Sequence, residues 1–88
     1  MNEDYKNLIT EIIKKQMDIL GPEMALSRAS NVKGLKVDST GQVAEIDGDP
    51  QTVLQSLIDV YIALSGQIVK NILSPVFAKY PTIKLDLP

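Results

Sequence analysis

From Leu57 to Leu64 every residue except Asp59 is apolar or aromatic. At 3.6 residues per turn Val60, Tyr61, Ile62, Ala63 and Leu64 point around the whole cylinder. A helix that is apolar on all sides has to be covered on all sides. The chain has 88 residues in which to do this and no cysteine to staple the result. A chain of that length buries only about 60–65% of its unfolded surface, so its core is marginal. The first helix and a small sheet can cover two faces of this segment. Either the segment is the central core helix of the domain, or its third face is covered by a partner chain.

The rest of the chain reads as one domain over residues 1–88. Tyr5, Leu8, Ile9, Ile12, Ile13, Met17 and Leu20 recur at helical steps, with Asp4, Asn7, Glu11, Lys14, Lys15 and Asp18 on the other face. Gly21-Pro22 interrupts this pattern. Glycine can end a helix and proline suits the first position of a new one. Met24, Ala25, Leu26 and Ala29 then continue an apolar face. The reading is a first helix kinked at Gly21-Pro22, or two helices meeting there.

The period changes at Val32. Residues 32–37 alternate, Asp38-Ser39-Thr40-Gly41 suits a turn, and residues 42–46 return as a second strand. Two registers are open. A four-residue loop aligns Leu35, Val37, Ala44 and Ile46 on one face. A three-residue loop with a glycine bulge pairs Val37 with Val43. Asp49 can cap the next helix by accepting from its free amides, and Pro50 presets its first turn. That long helix is expected from Pro50 to about Leu73, with Gly66 inside it and Ser74-Pro75 ending or kinking it. Thr82 to Leu87 alternates and reads as a C-terminal strand. The fold class is α+β: two helical segments packed on a small antiparallel sheet, in the order helix, hairpin, long helix, strand.

Several chemistries are thinly represented. There is no histidine and no cysteine, so the common catalytic triads and the nitrogen and sulfur metal sites have no residues to use. Asp47 and Asp49 flank a glycine as acids do in calcium loops, but the closing glutamate is missing and capping accounts for Asp49. The five glycines are isolated, which gives no phosphate-cradling loop. Arg28, Lys33 and Lys36 lie near the hairpin, with Glu45, Asp47 and Asp49 downstream to neutralise them and no aromatic residue among them for stacking bases. Nine basic against eleven acidic residues give a net charge of −2, with no pull toward nucleic acid or anionic lipid. The longest uncharged run, Val60 to Val69, is too short to span a bilayer. The start, Met1 to Lys6, is polar and acidic, unlike a signal peptide. A cytoplasmic protein without cofactor, metal or catalytic residue is the expectation.

Val32-Lys33-Gly34-Leu35-Lys36-Val37-Asp38-Ser39-Thr40-Gly41-Gln42-Val43 resembles the first hairpin of Roadblock-type domains, which have a valine-x-glycine entry, an acidic-x-x-glycine turn and a long helix afterwards. Pro50 to Ile72 would fill that helix. The chain departs from the family before the hairpin, where Gly21-Pro22 breaks the single first helix. The resemblance implies dimerisation through the long helix.

Together these features predict a protein–protein association module, homodimeric or part of a larger assembly. Leu57, Tyr61, Leu64 and Ile68 are the expected interface, with the Tyr61 hydroxyl at its rim. The competing reading is a module for a small apolar or lipid-like ligand held between the long helix and the sheet.

Overall fold

The computed structural model describes residues 2–81 and 83, with residues 2, 67–70 and 72 described in backbone alone. Among these, four helices and a two-stranded antiparallel sheet form a small α+β domain. Helix α1 spans Asn2–Leu20 and α2 spans Pro22–Ser30. Strands β1, Leu35–Val37, and β2, Val43–Ile46, form the hairpin. Helices α3, Pro50–Ser65, and α4, Gln67–Phe77, follow.

The first two helices are separate. Gly21 sits at φ 90°, a conformation only glycine adopts without strain. Its N–H closes α1 on the Met17 carbonyl, and its own carbonyl accepts from Ala25 to start α2. Pro22 begins α2, where a missing amide costs nothing.

The hairpin register resolves a conflict that is visible in the sequence. Val37 pairs with Val43, Lys36 with Glu45 and Leu35 with Ile46, and an irregularity falls between Lys36 and Val37. The turn is closed by Gly41 N–H to the Asp38 carbonyl, and Asp38 N–H reaches the Gln42 carbonyl. This is the three-residue loop with a left-handed glycine. Ala44 is the extra residue opposite the irregularity. It lets Val43 and Ile46, three apart, both turn inward. Lys36 and Glu45 then share the outer face, 3.4 Å apart.

The second long helix is broken earlier than the sequence suggests. Gly66, at φ 62° and ψ −132°, ends α3 with its N–H on the Ile62 carbonyl. Pro75 lies inside α4, which continues to Phe77. Near a C-terminus, proline removes one bond, to the carbonyl of exposed Asn71, which water can satisfy. Glycine in an extended, right-half conformation leaves no such option. Asp49 also differs from expectation. Its carboxylate makes no bond to a helix amide and instead accepts from the Thr52 hydroxyl at 2.8 Å.

Helix α1 is the hub, packed against α2, α3, α4 and β2. Leu8, Ile9, Ile12 and Ile13 are fully buried, as are Leu54, Leu57, Ile58, Tyr61 and Leu73. Thr10 Oγ1 accepts from the Val43 amide, fixing the hairpin edge to α1. After α4, Lys79 and Tyr80 both bond the Glu11 carboxylate, at 2.8 and 2.9 Å. Ile83 follows in a bend and is half-buried against the core. The strand expected over Thr82 to Leu87 otherwise lies outside the described residues.

Candidate functional site

Two hydrogen bonds orient the helices around the expected interface. Near their starts, the Tyr5 hydroxyl of α1 donates to Gln51 Oε1 of α3 at 2.8 Å. Near the far end of α3, the Tyr61 hydroxyl donates to the Ala25 carbonyl of α2 at 2.9 Å. Helices α1 and α3 therefore run in the same direction. The end of α3 lies beside the start of α2, just past the Gly21 corner.

This arrangement divides the four residues expected at the interface. Leu57 and Tyr61 are fully buried within the single chain. Neither exposes side-chain surface in the single chain. The cause is the break at Gly66. A continuous helix would leave one face of α3 open, whereas the break lets α4 pack on both α1 and α3 and bring Leu73 and Val76 into the core. The Tyr61 hydroxyl is not at a rim. It is spent on Ala25, and burial pushes its pKa well up. Leu64 is 40% exposed, with Ala63 exposed and Ile62 half-buried beside it. The side chain of Ile68 lies outside those described.

The other exposed large hydrophobic among the described residues is Met24, at 44%. The sequence reading put Met24 on the apolar face continuing from Leu20. The Gly21 corner resets the helical phase, so Ala25 and Ala29 face inward and Met24 faces out. Met24 adjoins Ala25, and Leu64 lies one turn beyond Tyr61. The Tyr61–Ala25 bond sets the helices that carry them against each other. An open concavity at the α1–α2 corner is lined by Leu20, Gly21, Pro22, Glu23, Met24, Ser27 and Arg28. The Gly21-Pro22 pair was the available signal for this corner, since it marks where the phase changes.

The polar groups of the domain are engaged mainly in structure. The Asp38 carboxylate accepts from the Thr40 hydroxyl and from the amides of Thr40 and Gln42, which holds its pKa below the usual carboxylate value. Glu11 is held low first by the Lys79 bond. No three metal-ligating side chains cluster among the described residues. No described helix is long and apolar enough to cross a membrane. The side chains between α3 and the hairpin, Val53, Leu54, Leu35 and Val43, are buried together in the core, and the concavity lies away from them. Gln16 is fully buried, and neither its amide atoms nor the buried Ser65 Oγ has a hydrogen-bond partner among the described residues. No protein-family model, curated protein or solved structure matches the chain.

Proposed function

We propose that this chain is a protein–protein association module that binds a second copy of itself. The observation that carries the reading is the exposure of Met24 and Leu64 on two helices that touch. They are the large hydrophobics left exposed among the described residues, and the Tyr61–Ala25 bond brings their helices together. Scattered exposed apolar side chains need no explanation, but one that lines an open concavity, as Met24 does, is what a contact surface uses. The resemblance of the hairpin to Roadblock-type domains points to the same class of function.

Sedimentation over a concentration series tests this. The average mass should rise above that of one chain between about 10 μM and 1 mM, the range of weak specific affinities. Leu64→Asp should lower that mass while helicity is unchanged, because a charge at a half-exposed site stays hydrated in the free chain and is stripped of water in the complex. A single-chain mass at millimolar concentration sinks the reading.

A further inference from the structure

Helices α3 and α4 meet at one residue, Gly66. Its N–H closes α3 on the Ile62 carbonyl, so α3 is finished without α4. Its backbone, at φ 62° and ψ −132°, is open to glycine and strained for any other residue. A Cβ there would meet nothing within 4 Å, so no packing locks the joint. Ser65 beside it buries its hydroxyl without a hydrogen-bond partner among the described residues. Glycine is also tolerated inside a helix at small cost, and the sequence from Pro50 to Leu73 reads as one continuous helix. Gly66 is therefore a two-state joint. Bent, it lets α4 fold back on α1 and α3. Straight, it makes one helix from Pro50 to Phe77, about 42 Å long. The longest extent of the whole domain is 28 Å. The straight helix thus carries α4 away from its own α1 and uncovers the part of the core that Leu73 and Val76 fill.

We infer that two copies of the chain exchange α4: Gly66 straightens in each, and each α4 takes on the partner subunit the seat that it occupies here on its own chain. This rests on the self-association reading and names how the second copy is engaged. The seat fixes its occupant. Leu73 and Val76 already fit the core, and Lys79 and Tyr80 already meet Glu11 at 2.8 and 2.9 Å. Exchange remakes these contacts between chains, and the pair closes on itself with two-fold symmetry. Straightening adds bonds that the bent form lacks. Here α4 starts without a side-chain cap, whereas in one helix the amides of its first turn bond the last carbonyls of α3. Closure within one chain has the advantage of proximity, equivalent to roughly millimolar concentration. The closed single chain is the dilute form, and the exchanged pair is the concentrated one.

Gly66→Ala and cross-linking between chains test this. The added methyl meets no neighbour, so its effect comes from the backbone. Alanine resists the bent joint and favours the straight helix, and each pair carries two joints. Sedimentation should show association strengthened about tenfold or more, with helicity undiminished. The chain has no cysteine, so a Glu11→Cys chain mixed with a Lys79→Cys chain and treated with a short bis-maleimide reports the exchanged contact. Denaturing gels should show a two-chain band that grows with concentration and exceeds that of Glu11→Cys mixed with Lys36→Cys, a control for random collision. The double variant Glu11→Cys/Lys79→Cys should link within one chain when dilute. If the unaltered protein associates but the two-chain band does not exceed the control, exchange is wrong and self-association stands. A folded Gly66→Ala that associates no better than the unaltered protein also overturns exchange; if that variant unfolds, the cross-link across the glycine joint decides. If the unaltered protein stays single at millimolar concentration, both fall.

Discussion

Gln16 sits on the same face of α1 as Ile9, Ile12 and Ile13, and is as fully buried as they are. Its amide nitrogen and oxygen have no hydrogen-bond partner among the described residues. A buried polar group without a partner costs about 1–3 kcal/mol, while an apolar side chain of similar shape carries no such cost. Gln16→Leu should therefore raise stability by about 1–3 kcal/mol, seen as a higher urea midpoint; an unchanged or lower midpoint would show that the amide is satisfied in solution. Gly34 is the opposite case. It adopts φ +87°, and a Cβ there would run into the Asp47 carbonyl oxygen. Its own carbonyl accepts from the Asp47 amide at 2.6 Å, so the two backbones are locked together where the hairpin opens. Gly34→Ala should destabilise by roughly 2–4 kcal/mol, because conformational strain and collision add. A midpoint within error of the original would contradict the close approach. Neither effect is legible in sequence. Gln16 breaks no helical pattern, and a glycine two residues after Val32 reads equally well as a loose strand entry.

At the scale of elements, legibility followed the range of the forces involved. The Gly21-Pro22 break, the turn at Gly41 and the start of α3 at Pro50 are set by local backbone chemistry, and each stands where residue type alone placed it. The break at Gly66 is not legible in the sequence, because glycine inside a helix costs only about 1 kcal/mol. Tertiary packing, not propensity, decides whether the chain turns there. Here turning lets α4 cover α3 and α1, and the burial of Leu73 and Val76 outweighs the lost helical continuity. The register was open because counting alternation misses a bulged Ala44. The end of α4 is held by another tertiary link, Glu11 with Lys79 and Tyr80. The Lys79 bond, with smaller help from Tyr80, holds the Glu11 pKa below its ordinary 4.5 against a modest opposing effect of burial. The link therefore contributes fully above that value and is lost as pH falls through the lower, folded-state pKa. Glu11→Gln should flatten the fall in stability below about pH 4.5 relative to the unaltered chain. Parallel curves for the two proteins through that window would show that the link adds nothing.

The whole molecule exposes 5106 Å². A folded monomer of 9.7 kDa is expected to expose about 5,100 Å² by the scaling of surface with mass. The chain thus closes its own core at the ordinary efficiency for its size, with α4 covering what the all-round apolar segment would otherwise leave open. That bears on how association relates to folding. An obligate dimer exposes excess apolar surface as a single chain, and its melting temperature climbs with concentration because only the dimer is folded. Among the described residues the large outward-facing hydrophobics are individual side chains, Met24 and Leu64, on helices already anchored by Ala25, Ala29 and Tyr61. The proposed association through them would add to a finished fold. By mass action, a ligand at concentrations near its dissociation constant stabilises by less than about 1 kcal/mol. For a domain of this length that is a shift of only about 4–8 °C at most. Thermal unfolding followed by circular dichroism between about 1 and 30 μM, below most of the association range, should therefore give a nearly constant midpoint. A midpoint that climbs steeply across that range would mean that the single chain is not the folded unit, and that the surface closing α3 comes from a second copy rather than from α4.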